Sequence, residues 1–309
     1  MTDSFSDYTI RPVAVTEWDK LHFIWEASQD IDDPAGRPPE GWWSLGDWTK
    51  TGLVLSKDTQ PIGLAAFKPT REPDAIEVRL ALLPGYRQPE AVTHLVEGVF
   101  DEARHMGFNS VRFFFSGGGA WATEIVAGFG IEPLRKYHSM LLPAAVEVPL
   151  FPVPEGMRIR PLAEGEDEAA LAALNKAWAT TWNFRPIPMK ALQKDLDGQR
   201  TGFLVAVPLS AETHVIGTCH AILDPHNYNH DGGIYALISN LTNDPDWRGR
   251  GLGRALLTAG IHHLRARGAT SVRLGVDGGN PVPMALYHSI GFKSISSVEV
   301  WTGQIPELL

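Results

Sequence analysis

One short stretch of this chain concentrates residues suited to gripping phosphate. Arg248-Gly249-Arg250-Gly251-Leu252-Gly253-Arg254 lies between an apolar, strand-like segment and a helix-like one. A helix start presents unpaired main-chain N–H groups and the positive end of the helix dipole. Glycines let that main chain come close to phosphate oxygens, and three arginines add positive charge. The pattern reads as a diphosphate cradle. Two other phosphate loops do not fit. A Walker loop ends in Gly-Lys-Ser/Thr, which is absent. A dinucleotide fingerprint needs G-x-G-x-x-G, whereas the spacing here is Gly249-x-Gly251-x-Gly253. A strand–helix turn that merely happens to be rich in glycine is the plain alternative.

Downstream stand Asn280, then Ala285-Leu286-Tyr287, then Gly291-Phe292. With Arg248-x-x-Gly251-x-Gly253, which has the R/Q-x-x-G-x-G/A form of an acyl-CoA loop, and the preceding Asp244-Pro245, this resembles the GCN5-related N-acetyltransferase (GNAT) superfamily. The resemblance covers about Ile234 to Phe292. It implies that main-chain amides of Arg248, Gly249, Arg250, Gly251, Leu252, Gly253 and Arg254 hold the diphosphate of acetyl-CoA, the acyl donor. It implies that the strand at Leu241, Thr242 and Asn243 splays to meet the pantetheine arm. Asn280 then touches that arm and Tyr287 lies near the sulfur, as general acid. A thiol titrates near 8.5 and a phenol near 10, so a positioned phenol can donate to the departing thiolate. The alternative for Tyr287 is simple packing. The family usually has an aliphatic residue where Asn243 stands, which is a departure in the acyl pocket.

Other chemistry is less legible. The strand before the loop offers Ser239 and Asn240, neither a base, and Glu299 on the last strand is a bare candidate. Trp178, Trp182 and Phe184 are candidates to line an acceptor pocket, or simply to pack. Asp224 to Asp231 resembles a metal cluster at first sight, but its Pro and Asn read as an exposed turn, and no metal is expected. His262 and His263 are helix neighbours that do not easily face one ion. Cys219, the sole cysteine, sits in an apolar run and reads as a buried strand residue.

The elements that must position these residues can be read in the C-terminal half. Met157–Arg160 reads as a strand, Glu168–Trp178 and Met189–Leu196 as helices, and Gly202–Pro208 with His214–Leu223 as an antiparallel hairpin. Ile234–Thr242 is the strand feeding the loop. A helix runs from Leu252 to Arg267, with Leu257, Ile261 and Leu264 on one face and Gly268 at its end. Val272–Val276 is a strand. Asn280 caps a helix with Pro281 at its first position, stopping at Gly291. Val298–Trp301 closes the order.

The chain also matches itself. At a constant offset of 161, Arg87 falls on Arg248, Gly107 on Gly268, Ser110-Val111-Arg112 on Ser271-Val272-Arg273 and Gly130 on Gly291. Near each half's start, Tyr8–Pro12 resembles Met157–Pro161 at an offset of 149. The expected organisation is a degenerate GNAT-like domain at 1–147, a linker at 148–155 rich in proline, and a catalytic GNAT domain at 156–309. The fold class is α/β with an α+β mixed sheet: two tandem GNAT folds, each a mixed, mostly antiparallel sheet flanked by helices. In the first half Gly251 becomes Glu90, Gly253 becomes Val92, Asn280 becomes Gly119 and Tyr287 becomes Val126. That half is expected to keep the fold and to have lost the acetyl-CoA site. Trp42, Trp43 and Trp48 are candidates to cover its cleft.

The balance of 27 Lys+Arg against 36 Asp+Glu, a net charge of −9, argues against a nucleic-acid partner and suits a small cationic amine acceptor. No apolar run is long enough to span a membrane, and the N-terminus lacks the features of a signal peptide. The expectation is a cytoplasmic monomer or homodimer that acetylates the primary amine of a small molecule. A non-catalytic acyl-CoA sensor or scaffold is the alternative.

Overall fold

A computed structural model of the chain describes residues 7–32, 51–69, 75–117, 119–182, 184–228 and 233–307. The chain divides into two compact units. The first holds residues up to His138 together with Asp277–Gly279 and Ile295–Leu309. The second holds Ser139–Val276 and Asn280–Ser294.

In the first unit β1 (Tyr8–Pro12), β2 (Gly52–Lys57), β3 (Gln60–Pro69) and β4 (Ala75–Leu82) pair antiparallel in sequence order. β4 pairs parallel with β5 (Ser110–Ser116). Strand side chains alternate between faces. Ile76, Val78, Leu80 and Leu82 therefore join α2 (Pro89–His105) in one core, with α3 (Ala120–Gly128) adding Ala122 and Val126. Ala81 faces the other way, into a core built with Trp18, Leu21 and Ile24 of α1 (Trp18–Asp32).

The second unit repeats this plan. After β6 (Glu132–Leu142), whose last residues belong to this unit, come β7 (Met157–Pro161), β8 (Phe203–Pro208), β9 (Gly217–Tyr228) and β10 (Ile234–Asn243), the latter four antiparallel in order. β10 pairs parallel with β11 (Val272–Asp277). α4 (Asp167–Trp178) and α5 (Met189–Leu196) bury Leu174, Leu192 and Leu196 against Phe203, Val205 and Val207. On the opposite face α6 (Leu252–Arg265) buries Leu256, Leu257, Ile261 and Leu264, and α7 (Pro281–Ile290) adds Tyr287. Each unit is thus a mixed, mostly antiparallel sheet with helices on both faces. Among the described residues no helix is long and apolar enough to cross a membrane.

The compact units do not coincide with the two halves of the sequence. The last strand, β12 (Lys293–Gln304), runs antiparallel to β5 of the first unit, with Val300 opposite Phe114. The end of β6, from the first half, lies beside β11 in the second unit. Main-chain edge groups need partners, and a closing strand from either half supplies the same ladder. Residues 148–155, expected as a linker, are fastened to the second unit. A His262 ring nitrogen lies 2.8 Å from the Val148 carbonyl, and Phe151 N–H donates to Thr258 Oγ1 at 3.1 Å. The turn expected from Asp224 is instead strand as far as Tyr228, which pairs with Ile234; Asn229, His230 and Asp231 lie outside the described residues, as do Trp42, Trp43 and Trp48.

The internal repeat extends to side-chain detail. Arg11 forks onto Glu17 with two hydrogen bonds of 2.9 Å, and Ala14 N–H donates to the same carboxylate. Arg160 forks onto Glu166 at 2.6 Å, with Ala163 N–H in the same role. Hydrogen bonds from the guanidinium hold both carboxyls below the usual range, Glu17 at about 2.

Candidate active site

The site is built where β10 hands over to α6. Asp244 is buried. Its Oδ1 accepts from Asp246 N–H, and its Oδ2 from Lys176 of α4 at 2.8 Å. Burial alone would raise this carboxyl, but the hydrogen bonds from Lys176 and Asp246 outweigh it and hold it low. A 3-10 turn over Pro245–Trp247 follows. Arg248 then donates to the Ala177 carbonyl at 3.4 Å, and Arg250 lies over the Trp247 ring. Gly249 and Gly251 both have φ in the left-handed region, at 76° and 83°, where a side chain is strained. Among the described residues, no protein partner takes the main-chain N–H of Gly249, Arg250, Gly251, Leu252 or Arg254. The Gly253 N–H is taken. The orientation of the Asn243 amide that satisfies both neighbours has its oxygen accepting from Gly253 (3.1 Å) and its nitrogen donating to the Thr242 carbonyl (2.9 Å). Asn243 is therefore a cap on α6, which an aliphatic residue could not be. Gly253 keeps a second role: a Cβ there would lie 2.9 Å from the Asn243 amide.

Before the loop, β10 breaks its ladder. Its register against β9 shifts between Ser239 and Thr242, and Asn240 has a φ of 46°. This is a β-bulge, with one more residue on β10 than on its partner. Thr218 stabilises it, donating to the Asn240 carbonyl and lying 2.7 Å from Thr242 Oγ1. β10 meets β11 only at Leu237–Arg273 and Ile238–Leu274. Beyond those pairs Leu241, Thr242 and Asn243 have no partner on β11, so the parallel strands part where the resemblance expects the pantetheine arm.

Tyr287 is buried on α7, its ring 6.0 Å from that of Phe292. Its hydroxyl has no hydrogen-bond partner among the described residues. Burial, and then the nearby Cys219, push the phenol well above its usual range, so it is protonated at neutral pH. The Cys219 thiol, wholly buried beside Gly260 of α6, is pushed up to about 12 by burial. Asn280 is the N-cap of α7, but its side chain makes no capping hydrogen bond and is exposed.

The same segment of the first unit keeps the turn but lacks the glycine loop and the bulge. The 3-10 turn Pro84–Tyr86 repeats that of Pro245–Trp247. Then α2 starts at Pro89, two residues earlier than α6 at the same offset. Pro89 has no N–H, and the Glu90 carboxylate occupies the first turn in place of Gly251. β4 pairs with β3 without a shift from Gly63–Leu82 to Pro69–Ile76. It also pairs with β5 at four positions, Ala75 to Val78. The bulge residue is simply missing, which is why the β-strand pairs match at an offset one less than the loops do. The Ser239 position becomes Arg79, whose buried guanidinium is lowered to about 10 by burial.

The remaining candidates scatter. Glu299 lies in the first unit, bound by Lys136 at 2.9 Å and by the Trp301 indole. Trp178 packs on the core under α4 and α5. His220 escaped the sequence reading. It is buried opposite Ser239, tilted against Phe203, with both ring nitrogens unpartnered and its pKa pushed down to about 4 by burial. Nothing in its sequence neighbourhood marks it.

The acetyltransferase (GNAT) family matches residues 14–117 and 168–292, one stretch in each half. A mycothiol acetyltransferase of Thermobispora bispora is 31% identical over 78% of this chain and 79% of its own. One from Kocuria rhizophila is 29% identical over 91% and 96%. Among solved structures, a GCN5-related N-acetyltransferase from Sphaerobacter thermophilus superposes with a TM-score of 0.73 at 18% identity, covering 100% of this chain and 98% of that one. A tandem GNAT protein from the clavulanic acid biosynthesis pathway gives 0.68 at 15% identity, covering 98% and 100%.

Proposed function

The chain belongs to the acetyltransferase (GNAT) family and is an N-acetyltransferase, and from that premise we propose that its second unit transfers the acetyl group of acetyl-CoA directly to a primary amine of a small molecule. The observation that carries this is the cluster of five unpartnered main-chain N–H groups at Gly249–Leu252 and Arg254, next to a bulged strand that leaves its neighbour. Those amides would take the diphosphate, with Arg248, Arg250 and Arg254 nearby. The free edge of Leu241–Asn243 would pair with the pantetheine arm and polarise the thioester carbonyl, and the uncapped side chain of Asn280 would contact the arm.

Tyr287 is the general acid in this reading. The neutral amine attacks the thioester carbon, the carbon–sulfur bond breaks, the phenol donates its proton to the sulfur, and the proton shed by the acylated nitrogen passes to solvent, from which the phenolate is reprotonated. Its raised pKa would make full transfer to an ordinary thiolate uphill. The same dry core pushes the Cys219 thiol up to about 12, so a coenzyme sulfur leaving there would be a stronger base than in water and better matched to the phenol. The first unit would be a partner in folding rather than in catalysis.

A thiol-release assay with acetyl-CoA and a panel of amines tests the reading. The deacetylated form of mycothiol belongs first in the panel, because of the name its relatives carry. Tyr287→Phe should lower kcat by about 10²-fold or more while leaving acetyl-CoA affinity within a few-fold. Tight coenzyme binding with no turnover on any amine would instead mark an acyl-CoA sensor.

A further inference from the structure

An exposed aromatic ring stands against the loop. Phe151 comes from the proline-punctuated segment Pro149–Pro154 and is 37% exposed. Its main chain is pinned through its N–H to Thr258 Oγ1, and that hydroxyl also bonds the Arg254 carbonyl at 3.0 Å. The ring edge packs on the glycine that opens α6: a Cβ on Gly251 would sit 3.2 Å from Phe151 Cε1. The Arg254 guanidinium lies 5.6 Å from the ring centroid and is held by Ser289 Oγ at 2.7 Å. A large apolar ring is thus fixed in a half-wet position, beside unpartnered main-chain N–H groups and flanked by an oriented cation.

We propose that Phe151, with Arg254, is a stacking platform for the purine base at the nucleotide end of the acyl donor. The inference rests on the coenzyme reading of this loop and adds a recognition element to it. Every nucleobase offers a π-face, and stacking on an aromatic side chain is strong without needing hydrogen-bond readout. A guanidinium against the ring reinforces it. The ring touches Gly251, whose N–H is among the donors assigned to the diphosphate, so a base joined to that diphosphate through a ribose falls within reach. The consequence is specificity: the protein distinguishes the whole coenzyme from its pantetheine arm, using a residue from the segment that joins the two halves of the sequence.

Calorimetry with two ligands tests this. Coenzyme A carries the base, and 4′-phosphopantetheine carries the arm without it. The full-length protein should bind coenzyme A more tightly. Phe151→Leu keeps the apolar contact with Gly251 and removes the π-face. It should weaken coenzyme A about tenfold and leave 4′-phosphopantetheine unchanged, while Phe151→Trp should bind coenzyme A at least as well as the native protein. An equal loss on both ligands with Phe151→Leu would make the ring a prop for the loop, and no loss, or tighter binding, would also overturn the platform. Native protein that binds both ligands equally sinks the platform while leaving the coenzyme reading standing. Native protein that binds neither sinks both.

Discussion

At the scale of single residues, protonation decides what the buried groups can do. As the proposed general acid Tyr287 acts only while protonated, and its pKa lies above the ordinary phenol value near 10. Its protonated form therefore persists through that value and is lost only as pH rises beyond it. A kcat profile should show no falling limb from this residue between pH 7 and 10, and the profile of Tyr287→Phe should have the same shape at lower height. His220 titrates in the opposite sense. Burial holds it at about 4 against an ordinary value near 6.5. Above pH 6.5 it is neutral in both states. As pH falls towards 4 only the unfolded chain takes the proton, so stability drains away. Between pH 6.5 and 5 the loss should be about 2 kcal/mol, read from urea unfolding. His220→Phe should remove that part of the pH dependence, and an unchanged slope would refute the assignment.

At the scale of elements, two small differences separate the strand–helix junction of the second unit from that of the first. One is the extra residue at the bulge; the other is where the helix begins. Deleting Asn240 should restore a regular ladder like that of β3 with β4. Coenzyme binding should disappear while the far-UV spectrum stays that of a folded protein. Gly251→Ala places a Cβ at a φ of 83° and 3.2 Å from Phe151. It should cost about 1–2 kcal/mol of stability and weaken coenzyme A, as measured by thermal unfolding and calorimetry. Glycine spacing made the loop legible in the sequence. The bulge was not legible, because Ser239 to Thr242 carry no glycine or proline to announce it. Asn243 looked like a defect in the acyl pocket, and only the neighbouring Gly253 amide explains it as a cap.

At the scale of the whole molecule, the exchange of closing strands sets what can fold. Residues 156–309 alone would carry β12 without β5 and β11 without β6. Residues 139–294 contain all of the second unit. The fragment 139–294 should be soluble and bind coenzyme A, and the fragment 156–309 should aggregate; the reverse result, read by size-exclusion chromatography and calorimetry, would contradict the assignment of strands to units.

The sequence by itself determined the duplication, the order of strands and helices in the C-terminal half, and which half carries the glycine-rich loop. Those properties are local: hydrophobic period, glycine and proline placement, and the side chain at each matched position. The tertiary structure alone decided which last strand closes which sheet, because both strands offer the same main-chain ladder. It also decided where β10 leaves β11, that the Tyr287 ring is buried against Phe292, and that Phe151 rests on Gly251. Each of these depends on residues far apart in the chain meeting at a distance of a few ångströms, which no spacing along the sequence encodes.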